Sequence, residues 1–179
     1  MDRFKKWAQR EYSKNQRIMA VILGGIVFWI IVPLGMVVTS LYIDHWLNLP
    51  KFTYGLINPL IGLIFLITGC LFANWTVKIQ FSLGRGTPIP LMATQKLVIE
   101  RSYNYCRNPM ALGTTIFYLG IAIWRGSLSA LGLGLIYPIA ILLYIKLIEE
   151  KELEARFGPE YVEYKRKTPF LIPRFRIKN

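Results

Sequence analysis

Two short clusters hold the residue types that can do chemistry in this chain. One is Tyr103-Asn-Tyr-Cys-Arg-Asn-Pro-Met-Ala-Leu-Gly113, and the other is the pair Glu149-Glu150. Asn108 before Pro109 reads as a helix start, because Asn accepts from the free N–H groups of a first turn and proline lacks the N–H that would go unpaired there. Free amides, the positive end of a helix dipole and the Arg107 guanidinium would then stand together, a setting for an anion. Arg107 can equally mark the water boundary of a membrane helix, with its stem in apolar surroundings and its head in water. Cys106 is a candidate nucleophile if that setting lowers its pKa, although no histidine is near in sequence to act as its base. The one histidine, His45, stands between Asp44 and Trp46, and with only Cys70 and Cys106 beside it the chain offers neither a zinc site nor a disulfide framework.

The elements that must position these clusters are membrane helices. Hydrophobic residues make up 54% of the 179, too many for an ordinary soluble domain. Four apolar runs carry no charge: residues 18–43, 52–77, 108–124 and 126–145. A span needs about 20 residues, so the third is short but workable with aromatics and arginines at its ends. The first is too long for a cleaved signal peptide. Lysine and arginine concentrate before the first run, between the second and third, and after the fourth, which places both termini and the central loop on the cytoplasmic side. The net charge of +12 is then an attraction for anionic lipid headgroups rather than for nucleic acid, for which no soluble module is present.

The expected fold is all-α: a multi-pass membrane protein of about four spans, with spans 3 and 4 as a helical hairpin and a cytoplasmic helical tail. It divides as a basic interfacial N-terminus (1–17), spans 1 and 2 (18–77), a cytoplasmic loop (78–107), the hairpin (108–145) and a cofactor-binding tail (146–179). The link Trp124-Arg-Gly-Ser127 is too short for anything but an antiparallel pair, and Gly126, Ala130 and Gly134 give span 4 a smooth face. That geometry carries Glu149 and Glu150 to the neighbourhood of Arg107. The plain alternative for Glu150 is a salt bridge one turn back to Lys146. Span 4 should continue as a helix to Phe157, stop at Gly158-Pro159, and be followed by a short helix through Tyr161 and Tyr164. A glycine- and proline-rich loop, Leu83-Gly-Arg-Gly-Thr-Pro-Ile-Pro90, lies over the same face, and neither G-x-G-x-x-G nor a Walker pattern occurs.

An arginine with helix amides, carboxylates, and tyrosines together meet the needs of S-adenosylmethionine: a partner for its carboxylate, acceptors for its amino group or ribose, and aromatic surface for adenine. Methyl transfer from a sulfonium needs alignment and exclusion of water rather than a metal. In ordered pieces, the chain resembles the superfamily of isoprenylcysteine carboxyl methyltransferases and phospholipid N-methyltransferases. The pieces are Gly86-Thr-Pro-x-Pro90, Leu97-Val98, Tyr103-x-Tyr105-x-Arg107-Asn-Pro-Met110 with Gly113, Glu149-Glu-x-x-Leu153, Phe157-Gly, Tyr161, Tyr164 and Pro173-Arg174. The resemblance implies a methyltransferase whose S-adenosylmethionine pocket is lined by Arg107, Asn108, Glu149 and Glu150, with Val98, Tyr103, Tyr105, Pro109, Gly113 and Tyr161 around them. Arg107 and Glu150 are the expected catalytic pair, reaching opposite parts of one cofactor. The acceptor would be a membrane lipid, a lipidated molecule or a small amphipathic one, bearing a prenylcysteine-type carboxylate, a phospholipid amine or a thiol. Relatives commonly read Gly-Pro-Tyr where this chain has Arg101-Ser-Tyr103, and an aromatic where it has Ala111. Localisation would be the inner or plasma membrane of a prokaryote or the endoplasmic reticulum of a eukaryote. Two other readings stay open: a sterol-reductase-like enzyme using NADPH, with Arg85, Lys96 and Arg101 for its phosphates, and a membrane scaffold that keeps the fold without catalysis.

Overall fold

The computed structural model describes residues 12–86 and 94–173. Most of the basic N-terminus, the prolines of the 83–90 loop and Arg174 therefore lie outside the described residues. Among those described the chain is all-helical, without a strand. Helix α1 spans Lys14–Trp46 and α2 spans Ile57–Leu83. A single turn, α3 (Ser102–Tyr105), precedes α4 (Pro109–Arg125), then come α5 (Leu128–Phe157) and α6 (Pro159–Lys167). Three of these, α1, α2 and α5, are long and apolar enough to cross a membrane. The shorter α4 is the helix the others surround, burying Pro109, Gly113, Thr114, Tyr118, Gly120 and Ala122.

Local chemistry explains where these helices begin and bend. At the start of α1, Ser13 and Gln16 form a reciprocal cap, the Gln16 N–H donating to Ser13 Oγ at 3.3 Å and the Ser13 N–H to Gln16 Oε1 at 3.0 Å. Pro33 cannot donate to the turn before it, and the helix widens into a π turn over Val27–Ile31 at that point. The Tyr118 hydroxyl of α4 donates to the Phe28 carbonyl at 3.0 Å, tying the widened turn to the core. Tyr118 packs there with Met36, Ala122 and Ala130, and its ring meets Tyr137 edge-on at 5.2 Å.

The closest helix contact is not the one the small residues of α5 predict. A Cβ on Gly69 of α2 would stand 2.5 Å from the Phe117 amide nitrogen of α4, and one on Gly113 would stand 2.8 Å from that of Ala73. Apolar surface does not drive helices together in lipid, so the pair that can bring backbones nearest gains most from packing, and here that is α2 with α4. The face of Gly134 is looser, with the nearest atom, the Tyr118 carbonyl oxygen, at 3.4 Å.

Gly126 ends α4 in the left-handed region (φ 58°), and Ser127 starts α5 by accepting from the Ala130 N–H at 3.0 Å. Asp44 accepts from the hydroxyls of Ser127 and Ser129, each at 2.6 Å, so α1 is fixed to the same corner. Asn58 pins the preceding loop, donating to the carbonyls of Phe52 (2.9 Å) and Ile123 (3.1 Å) and accepting from the Tyr54 N–H (2.8 Å). At the far end α5 widens into a second π turn, Ile145–Glu149, before continuing to Phe157. Gly158 with φ 56° and Pro159 then turn the chain into α6.

Candidate active site

The helix start at Pro109 forms as the sequence indicates, but Asn108 does not cap it. Its side chain makes no bond to the first turn of α4 and instead donates through Nδ2 to the Phe170 carbonyl at 2.9 Å. The reason is the chain beyond α6, which folds back over the motif. The Arg107 N–H donates to the Pro169 carbonyl at 2.9 Å, and the Tyr164 hydroxyl donates to the Tyr103 carbonyl at 2.7 Å. The Phe170 ring centre lies 5.5 Å from the Arg107 guanidinium carbon. With Asn108 so engaged, the first amides of α4 have no side-chain cap.

Arg107 and Glu150 do come together, far apart in sequence as they are, and they bond directly to each other. They do not stand apart across a space, as expected of two residues reaching opposite ends of a cofactor. Glu150 is 3% exposed, and its other oxygen receives Lys165 of α6 at 2.9 Å. Buried where it is, a carboxylate needs such partners. Lys146, its plain alternative partner, is exposed, because the π turn between them shifts the register by which residues four apart would meet. Lys165 in turn bonds Glu154 at 2.7 Å, and its pKa is raised by Glu154 and Glu150.

Beside this pair a cavity of about 170 Å³ opens between α2, α4 and α5 and the segment before α3. Of the residues the sequence singled out, Val98, Tyr103, Arg107, Asn108, Pro109, Glu149 and Tyr161 line it. Three others sit elsewhere. Glu150 is behind the wall in its ion pairs, Gly113 is packed against Ala73, and Tyr105 is on the outer surface, 39% exposed. Of the paired glutamates, Glu149 therefore faces the cavity, while Glu150 holds Arg107.

Sequence reasoning missed Gln80, Glu152 and Arg156, which also line the cavity. Arg156 bonds Glu152 at 3.4 Å and also donates to the Thr94 carbonyl, so it ties α5 to the loop after α2. The spacing 149, 152, 156 is one helix face and was there to be read. Among the described residues, two polar atoms at the cavity are buried without a partner, Gln80 Oε1 and Arg107 Nε. Such atoms are rare in a finished protein, and at the cavity wall they are groups still able to bond a ligand or water. Deeper in, the lining turns apolar, with Phe28, Ala111, Tyr137, Pro138 and Ile141.

Acid–base candidates narrow in this setting. Burial pushes the hydroxyls of Tyr103, Tyr161 and Tyr164 well above the ordinary phenol range; Glu149 adds to the effect at Tyr103, and Glu150 at Tyr161. They are hydrogen-bonding phenols at neutral pH, not bases. The Cys106 thiol, fully buried, is likewise pushed up to about 11, which removes it as a thiolate nucleophile. Among the described residues no group of acidic, histidine or cysteine side chains could hold a metal ion.

A family model described as phospholipid methyltransferase matches residues 57–160, more than half of the chain. The chain belongs to this family. In the phospholipid methyltransferase frame, the matched stretch begins in the first turn of α2 and ends in the first turn of α6, so it contains α4, both glutamates and Arg156. Membership makes the protein a methyltransferase, and with three spanning-length apolar helices, a membrane one. No curated protein matches the chain.

Proposed function

We propose that the protein transfers a methyl group from S-adenosylmethionine to a lipid-like acceptor at the membrane surface. The observation that carries the reading is one cavity with charged groups and unpartnered polar atoms at one end and an apolar wall between helices at the other. A charged, water-soluble cofactor fits the first end and a hydrocarbon-bearing acceptor the second. When bound, the cofactor would supply an electrophilic methyl group on a sulfonium. The protein's own residues do the rest. Arg107, fixed by Glu150 and the Phe170 ring, would offer its Nε–H to the cofactor's carboxylate, beside the first amides of α4, which have no side-chain cap. Tyr103, Tyr161 and Tyr164 close the cavity wall and exclude water.

A carboxylate or thiolate acceptor needs no base. An amine headgroup must lose a proton, and with the tyrosines held as phenols and Glu150 engaged in ion pairs, Glu149 on the cavity wall is the group to take it. Four helices cross the membrane in this reading. At 17 residues, α4 is about 26 Å long, short of the hydrocarbon thickness, but it lies within the bundle where α2 and α5 cover it. Both termini and the loop after α2 face the cytoplasm, where anionic headgroups meet the basic residues. Cysteines placed at Gly86 and Asn48 should label from opposite sides, and labelling from one side would break the four-span arrangement.

Function is tested by incubating purified protein and methyl-labelled S-adenosylmethionine with a whole lipid extract and locating the label. Binding of S-adenosylhomocysteine with none of NADPH is expected. Saturable NADPH binding without it would overturn the reading in favour of a reductase.

A further inference from the structure

Gln80 is a polar residue on α2 that stands in no motif of the chain. It belongs to the row Ala73, Thr76, Gln80, which runs along the α4-facing side of α2 at helical spacing. Ala73 and Thr76 are fully buried, and Thr76 closes its own bond back to the Phe72 carbonyl at 3.0 Å. One turn further the row reaches the cavity, and there the carboxamide of Gln80 lines the wall with Oε1 buried and without a partner. Its backbone carbonyl accepts from the Gly84 N–H at 3.0 Å, so the residue's position is set by the end of the helix and not by its side chain. A buried carbonyl oxygen left unbonded costs stability, and at a cavity wall a donor on a bound molecule would supply the missing bond.

Resting on the cofactor reading above, we infer that the Gln80 carboxamide recognises the adenine edge of S-adenosylmethionine, its Oε1 accepting from the 6-amino group. A carboxamide is neutral and offers a donor and an acceptor in one plane, which is the pattern of an adenine edge. The charged parts of the cofactor have other partners on the same cavity, Arg107 and Glu149 among them. Leu97 and Val98 also line the wall, and Gly84, one turn beyond Gln80, would bring a Cβ within 3.2 Å of Val98. These aliphatic side chains give the flat base an apolar surface next to the amide. Gln80 is thus a specificity residue for the nucleobase rather than a catalytic one.

The probes are S-adenosylhomocysteine and its analogue lacking the 6-amino group, titrated calorimetrically into detergent-purified wild type, Gln80→Leu and Gln80→Glu, with thermal unfolding of each ligand-free protein. Wild type should prefer the amino-bearing compound by about tenfold, Gln80→Leu should bind the two alike, and Gln80→Glu, which keeps an acceptor, should retain the preference. The ligand-free Gln80→Leu should melt no lower than wild type, since it removes an unbonded buried oxygen. Equal binding of the two compounds by wild type overturns the inference. So does an unchanged preference in Gln80→Leu, or an equal loss for both compounds accompanied by a lower melting temperature. Failure of wild type to bind S-adenosylhomocysteine at all overturns the cofactor reading itself, which separates the two.

Discussion

At the corner where α4 turns into α5, Asp44 accepts three hydrogen bonds from Ser127 and Ser129, the Ser129 hydroxyl also lies 3.0 Å from the Ser40 carbonyl, and Asn58 makes three bonds of its own. At the opposite end of the same helices, Gln80 Oε1, Arg107 Nε and Ser102 Oγ are buried without partners. Among the described residues, only Arg125 Nε is left over at the first corner. Both ends are polar and both contain buried groups, but one has satisfied nearly all of them internally and the other holds some open. The two ends thus differ in how many of their buried polar groups the described residues satisfy, although both use hydroxyls, amides and an arginine.

The largest test of this contrast lies in the most buried ion pair of the open end, Arg107–Glu150. Glu150→Gln leaves Arg107 buried without its counter-charge and should cost about 3 kcal/mol in reversible unfolding, while Lys146→Ala should cost almost nothing. Equal, small losses in both would mean that the pair contributes no stability. Glu149→Gln should do the reverse. Turnover of a lipid amine is expected to fall about a hundredfold, with unfolding nearly unchanged, because this carboxylate faces the cavity and not the packing. Asp44→Ala should lower stability by about 2 kcal/mol through its three lost bonds and leave S-adenosylhomocysteine affinity as it was. A weaker ligand affinity in that variant would dissolve the division of labour between the ends.

The effect that is smallest near neutral pH is a pH dependence. The folded Cys106 pKa is raised above its unfolded value, so the folded state holds the proton more tightly. Stability from this group is complete below the unfolded thiol's pKa of about 8.5 and declines as pH rises through about 11. The Cys106→Ala variant should flatten that part of the stability profile, and wild-type Cys106 should resist alkylation at pH 8 until the protein unfolds.

Much of the fold was legible because its signals are local or set by composition. The apolar runs, the Asn108-Pro109 start, the Gly158-Pro159 stop and the short link at Gly126 all fall where the helices begin and end. Span 2 was less well bounded: the helix starts at Ile57 rather than 52, since Asn58 holds the preceding residues in a loop, and it runs on to Leu83 past the end of the apolar run. The reach of Arg107 to the glutamates followed from the link length. Which glutamate it would meet did not, because that depends on a π turn with no sequence signature here. Asn108 looked like a cap for the same reason that Gln80 looked like nothing: their partners, Phe170 in one case and a ligand cavity in the other, are distant in the chain.

The π turn at Ile145–Glu149 has an evolutionary corollary. It amounts to one residue more than a regular helix requires, so deleting a single residue between 145 and 148 would restore the α-helical path and leave the helix beyond in nearly its present phase relative to α4. Glu149 and Glu150 are themselves one residue, and about 100°, apart. A one-residue loss at the π turn would thus keep Glu149 toward the cavity and Glu150 toward Arg107, whereas the same loss in the regular helix beyond would turn whatever follows it by about 100°.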